Sequence, residues 1–123
     1  MFLRQIFKGK ASKLKGKEFE NLAAKYLSSK GYKVIKRNYR TKLGEIDIIA
    51  LKDDILVFVE VRSLTGNFME PLETITYRKR DNMLKTASLY LMETGWQGAV
   101  RFDFIGIKGK DRKVEHIENF LVV

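Results

Sequence analysis

The chain has 123 residues, with 24 basic and 15 acidic side chains for a net charge of +9, one proline and no cysteine. That length suits one domain, and a hydrophobic content of 45% sets the chain apart from disordered sequences. The lack of cysteine excludes disulfides, zinc ribbons and thiol catalysis. The N-terminus lacks the continuous apolar segment of a signal peptide, and no apolar run reaches membrane-spanning length, so the expectation is a soluble cytoplasmic protein with no membrane partner.

The charge is unevenly placed. Residues 1–17 contain Arg4, Lys8, Lys10, Lys13, Lys15 and Lys17 and no acid, which is +6; the remaining 18 basic and 15 acidic residues give only +3. A basic segment of this kind points to a polyanionic partner, most often nucleic acid, with a solubilising tail as the alternative. Residues 1–11 read as a flexible basic arm and 12–123 as a single domain.

A helix is predicted from about Ser12, a suitable N-cap, to Ser29, with Gly31 just past its end. Phe19, Leu22, Ala23, Tyr26 and Leu27 recur at helical spacing and form its apolar face. Glu20 lies at one edge of that face and Glu18 at the other, and periodicity does not choose between them. A strand follows from about Lys33 to Arg40.

The next two strands, Glu45 to Leu51 and Ile55 to Leu64, form a hairpin about a turn at Lys52, Asp53 and Asp54. The second is apolar at nearly every position through Val61, as in a central strand buried on both faces. Alternation places Glu60 and Arg62 on one face and Val59 and Val61 on the other; it also places Glu45 and Asp47 opposite Ile46 and Ile48. Three carboxylates and a guanidinium thus fall within the most apolar stretch of the chain, where a charge is costly unless it is paired or binds a metal.

Residues 63–72 read as a loop, with Gly66 and Pro71 as breakers. A second helix is predicted from about Ile75 to Glu93. Its buried side carries Leu84, Ala87, Ser88 and Leu91, its wet side Arg78, Asn82 and Lys85, and Lys79 sits at the boundary. Two strands, Ala99 to Ile107 and Val114 to Leu121, complete an order α-β-β-β-α-β-β. The fold class is therefore α/β, with one mixed sheet flanked by helices.

Phosphodiester hydrolysis needs metal-bound water, charge neutralisation at the phosphate and carboxylates to hold Mg2+. Asp47 and Glu60 on neighbouring strands can converge on one ion, with the Val61 carbonyl and Glu20 completing the shell and Arg62 facing the phosphate. From spacing alone, an ion-pair network on a half-buried sheet face accounts for the same residues equally well.

Gly16, Glu20, Ala23 and Leu27, the runs GEIDIIA (44–50) and VFVEVR (57–62), Lys79, RFD (101–103) and HIEN (116–119) resemble, in this order, the YraN-like family of small bacterial proteins. That family belongs to the PD-(D/E)XK nuclease superfamily and is related to archaeal Holliday-junction resolvases. The resemblance covers nearly the whole chain and implies a restriction-endonuclease-like core. It implies Asp47 and Glu60 as metal ligands, with Glu20, rather than Glu18, as the helix-borne acid and Lys79 as a second phosphate-facing cation. Arg62 occupies the superfamily's lysine position.

The implied function is a Mg2+- or Mn2+-dependent endonuclease acting on DNA rather than RNA, on branched or damaged substrates. Arg4, Lys8, Lys10, Lys13, Lys15, Lys17 and Arg78 would contact the nucleic acid. By analogy with resolvases, whose four-way junction has two-fold symmetry, a homodimer is implied. Two rival readings are a nucleic-acid-binding module without the chemistry and a small protein-interaction scaffold.

The remaining conspicuous residues take simpler roles. His116 reads as a strand residue making a local hydrogen bond, Glu45 as an ion-pair partner and Trp96 as packing. Asp103 caps a turn or supports the carboxylate site. Tyr39 and Phe68 are the candidates for base stacking.

Overall fold

The computed structural model describes the backbone of residues 2–64 and 71–121, and side chains over the same span except those of residues 2–15 and Leu64. In chain order the elements are α1 (Phe2–Ser29), β1 (Lys33–Thr41), β2 (Gly44–Lys52), β3 (Ile55–Leu64), a 3-10 turn (Pro71–Thr74), α2 (Tyr77–Thr94), β4 (Ala99–Lys108) and β5 (Lys113–Ile117). The order α-β-β-β-α-β-β is the expected one. Helix α1 begins at Phe2, well ahead of Ser12, and β5 stops at Ile117, short of the expected Leu121.

The five strands form one sheet in the order β1-β2-β3-β4-β5. All neighbours are antiparallel except β3 and β4, which run parallel. A parallel pair needs a long crossover, and the segment carrying α2 supplies it. The β2–β3 hairpin closes through Asp53 and Asp54 at φ 49° and 65°. Two consecutive positive φ values make a turn whose twist matches the flanking strands, and aspartate tolerates that backbone better than branched residues do.

The sheet separates two apolar layers. On one face Phe19, Ala23 and Leu27 of α1 pack on Ile48, Ala50, Val57, Val59, Ile105 and Ile107. On the other, Met83 and Ala87 of α2 pack with Ile46, Ile49, Leu56, Phe58 and Phe102. Strand β3 is central and buried from Leu56 through Glu60, as its composition requires. On α2, Ala87 is buried and Leu84 and Leu91 pack against the same layer, as expected, joined by buried Met83 and Thr86. Ser88 is instead exposed, and its hydroxyl returns to the Leu84 carbonyl. Gly44 allows α2 to sit this close to β2, because a Cβ there would lie 3.0 Å from Thr86 Oγ1 and 3.1 Å from Asn82 Cβ.

Strict alternation fails on β2. Ile46 packs in the α2 layer and Ile48 in the α1 layer, so the strand changes face at Asp47. Ladder pairing between β2 and β3 stops at Ile48 and Val59. Beyond it the Asp47 carboxylate takes the place of a strand partner, with Val61 N donating to its Oδ2 at 2.8 Å. The same irregularity that breaks the periodicity opens the sheet where the carboxylates meet.

Candidate active site

Asp47 lies at this opening. Glu60 comes from the adjacent strand and is only 2% exposed. Burial raises the Asp47 carboxyl to about 8, with the charge of Glu60 as the next cause; the hydrogen bond from Val61 and the Lys79 charge oppose it. Two carboxylates pressed together in a part-buried site leave one of them short of a counterion at neutral pH.

Glu60 uses one oxygen for the protein's cations and leaves the other unused. Lys79 Nζ lies 3.6 Å from Oε2 and Arg62 Nε 3.1 Å from it, but the Arg62 N–H is not aligned to hydrogen-bond. Oε1 is buried with no hydrogen-bond partner among the described residues. Glu60 and Arg62 do share a face, as alternation requires, and that face looks towards Lys79 in the first turn of α2, where Thr76 caps the helix by accepting from Lys79 N at 3.1 Å. The cap fixes the backbone that carries the lysine.

Glu20 approaches from α1. A small cavity of about 150 Å³ is lined by Gly16, Phe19, Glu20, Asp47, Val61 and Ser63. Glu18 is on the other side of the helix, paired with Arg112 at 2.8 Å. Geometry and resemblance thus agree on Glu20. The Glu20 carboxyl is raised above its usual range, by burial first and by Asp47 second, against the lowering effect of Arg37. Sequence reasoning missed its clamp: Arg37 Nε and Asn38 Nδ2 donate to Glu20 Oε1 at 3.3 and 2.8 Å. The available signal was an Arg-Asn pair inside a strand that was read only for its bounds.

The donors fit a hard divalent cation. Mg2+ commonly takes one or two carboxylates and keeps several waters, and Asp47, Glu60 with its free Oε1, and the Val61 carbonyl are oxygen donors of that kind. Among the described residues no cluster of three or more His, Cys, Asp or Glu side chains could cage an ion. Glu20 therefore stands as an accessory group on the cavity wall, held by Arg37 and Asn38.

Other expected residues fall elsewhere. Arg78 and Lys17 are exposed, while the side chains of Arg4, Lys8, Lys10, Lys13 and Lys15, and Phe68, lie outside the described residues. Glu45 is an ion-pair partner, 3.3 Å from Arg40. Tyr39 is not a surface stacking residue: it is 7% exposed and packs edge-on against Tyr90. Trp96 packs against the α2 layer and donates to the Ala99 carbonyl at 3.1 Å. Asp103 does not support the carboxylate site; its oxygens accept from Arg101, His116 and Asn119 N. Nor is the His116 hydrogen bond local, since it spans two strands to reach Asp103. No described helix is long and apolar enough to cross a membrane.

The α-β-β-β-α-β-β chain is an α/β protein with one mixed five-stranded sheet flanked by two helices, open around an Asp–Glu pair. Residues 19–107 match the model of the uncharacterised protein family UPF0102, the YraN family. The chain belongs to that family. It is 49% identical over 107 residues to a UPF0102 protein of Sulfurihydrogenibium sp., covering 85% of this chain and 91% of the relative. A UPF0102 protein of Thermotoga maritima is 44% identical over 102 residues, covering 83% and 92%. One from Clostridioides difficile is 39% identical over 110 residues, covering 88% and 96%.

Proposed function

We propose that this protein is a metal-dependent DNA endonuclease in which Asp47, Glu60 and the Val61 carbonyl hold Mg2+ or Mn2+. The observation that carries this reading is a buried Asp47–Glu60 pair that must share a proton, with Glu60 Oε1 reached by no other donor among the described residues. A buried carboxylate oxygen without a donor costs free energy unless something binds it. When bound, the cation would supply a nucleophilic water at neutral pH and neutralise charge on the phosphate.

The chain's own groups have separate tasks. Asp47 and Glu60 orient the cation, and Glu20, raised by its surroundings, is placed to accept or hold a proton at the cavity wall. Arg62 cannot act as a general base, because a guanidinium keeps its proton. It can leave Glu60 and grip a phosphate oxygen through two parallel hydrogen bonds. Lys79 is part-buried and within reach of the same carboxylate, so it can stabilise the same charge. The basic N-terminal part of α1 supplies phosphate contacts, with DNA as the partner.

The direct test is cleavage of single-stranded, duplex and branched DNA with Mg2+ or Mn2+, using Asp47→Asn as the inactive control. Arg62→Lys is expected to retain or raise cleavage, Arg62→Ala to lose affinity and rate, and Lys79→Ala to abolish turnover only if Lys79 does what the superfamily's lysine does. Tight DNA binding by wild type and Arg62→Lys without cleavage of any substrate would instead identify a binding module, for which the two cations already neutralising Glu60 are the supporting observation.

Two simpler measurements bear on the parts. Mn2+ should raise the melting temperature of the wild type by mass action and leave Asp47→Asn unaffected; equal shifts would remove the metal site. Replacing Arg4, Lys8 and Lys10 by glutamine should reduce the slope of log affinity against log salt by up to about three units. An unchanged slope would mean that these cations do not touch the DNA.

A further inference from the structure

RFD and HIEN, two of the motifs that carry the family resemblance, have no part in the carboxylate site. They meet each other instead. Arg101 forms a two-pronged pair with the fully buried Asp103, both hydrogen bonds at 2.8 Å. His116 Nε2 lies 2.8 Å from Asp103 Oδ2, and its Nδ1 lies 3.2 Å from the Tyr26 hydroxyl. Arg101 also donates to the Tyr32 hydroxyl at 2.6 Å and comes within 3.6 Å of Glu118.

This network forms one wall of a cavity of about 440 Å³ bounded by Tyr26, Lys30, Tyr32, Lys52, His116 and Glu118. It lies at the turn end of β3, beside Ile55. Glu60 is five positions along the strand, roughly 16 Å away at about 3.3 Å per residue. The size is that of a small-molecule site.

A purely structural role explains Arg101, Asp103 and His116, which tie β4 to β5 and to α1. It does not explain the mouth. Lys30 Nζ lies 5.8 Å from the centre of the Tyr26 ring and Lys52 Nζ 4.9 Å from that of Tyr32. Neither lysine has a carboxylate ion-pair partner among the described residues; Lys52 instead donates to the Lys30 carbonyl. Lys30 and Lys52 thus line one cavity mouth, with Asp53 on the same lining but ion-paired to neither, beside two tyrosines whose positions His116 holds edge-on and tilted at 5.5 and 5.7 Å.

Cations beside aromatic rings, with an acceptor carboxylate at the rim, suit a ligand that has an anionic group, a planar ring and polar ring edges. We propose that this cavity is a second site, separate from the carboxylate pair, that holds one nucleotide unit. Lys30 and Lys52 take its phosphate, Tyr26 and Tyr32 contact its base, and Glu118 accepts from base or sugar donors. A free mononucleotide and the phosphorylated end of a nucleic acid strand present the same chemistry.

The full chain, kept in EDTA so that cleavage does not interfere, is titrated calorimetrically with adenosine and guanosine monophosphates, inorganic phosphate and a 5′-phosphorylated tetranucleotide. Binding of a monophosphate assigns the site to free nucleotides, and binding of the tetranucleotide alone assigns it to strand ends. In either case Lys30→Gln/Lys52→Gln, a change at the cavity mouth, is expected to weaken binding roughly tenfold or more. Asp47→Asn is expected to bind as the wild type does, which separates this site from the proposed nuclease. The proposal is overturned if neither ligand binds at millimolar concentration, if the lysine variant binds equally well, or if inorganic phosphate binds as tightly as the nucleotide.

Discussion

Asp47→Asn should melt well above the wild type at pH 9 in the absence of metal, and the advantage should vanish near pH 4. The cause is linkage. The Asp47 carboxyl is raised from 3.8 to about 8 in the folded protein, so the native state holds a proton that the unfolded chain gives up. Its contribution to stability is therefore fully present below pH 3.8 and is lost as pH rises to about 8. A tenfold difference in proton affinity between the folded and unfolded chain is worth about 1.4 kcal/mol. Relaxation and water reduce the total, so a gain on the order of 2–4 kcal/mol is expected for the uncharged isostere above pH 8. Asparagine keeps an oxygen for the Val61 N–H, so the strand opening survives the change. Chemical denaturation of both proteins at several pH values is the check, and parallel stability profiles would show that Asp47 is not held in its protonated form. The same proton has a second consequence. Metal must displace it, so Mn2+ affinity should climb with pH up to about 8 and each binding event should release a proton.

Arg101→Ala is expected to be the most damaging single change outside the apolar layers. It strips the guanidinium from a fully buried Asp103 and leaves that charge with His116 and one backbone N–H. Breaking a buried pair from one side costs about 3–5 kcal/mol. For a chain of this size that lowers the melting temperature on the order of 10 °C or more. The pH dependence should also change. Burial pushes the Asp103 carboxyl up, but the hydrogen bonds from His116, Arg101 and Asn119 outweigh it and hold the group below its usual range. Its contribution is therefore present above pH 3.8 and is lost as pH falls through the lowered folded value. Without Arg101, burial should dominate and acid unfolding should begin at higher pH. A variant that melts within a degree or two of the wild type would show that the pair contributes little. The opposite behaviour of Asp47 and Asp103 also marks their roles: one carboxylate is held short of partners and the other is saturated with them.

Much of the fold was legible because it depends on short-range patterns. The apolar run from Ile55 to Val61 could only be a central strand, and Asp53-Asp54 between two such runs could only be a tight turn. Phe19, Ala23 and Leu27 mark one face of a helix whatever it packs on. That charges at 47, 60 and 62 would need compensation was also legible, since they fall inside apolar strands, and the resemblance implied Glu20 as the helix-borne acid. The family match over residues 19–107 agrees with that resemblance.

Three features were decided only by the tertiary structure, each because it depends on contacts distant in sequence. Strict alternation put Ile46 and Ile48 on one face; the opening of β2 from β3 at Asp47 separates them, and no local pattern announces where a ladder will stop. Helical periodicity could not tell Glu18 from Glu20; the position of β1, which brings Arg37 and Asn38 to Glu20, distinguishes them, while Arg112 takes Glu18. Tyr39 looked like a residue free to stack on a base, and Asp103 like a turn cap or support for the carboxylate site. Burial of Tyr39 beneath Tyr90, and the pairing of β4 with β5 that delivers His116 to Asp103, give both residues other work. Sequence determined most of the apolar positions that form the core and which charges would need partners. Only the packing of separate elements decided which partners they found, because a side chain's neighbours across a sheet are set by register and not by proximity along the backbone.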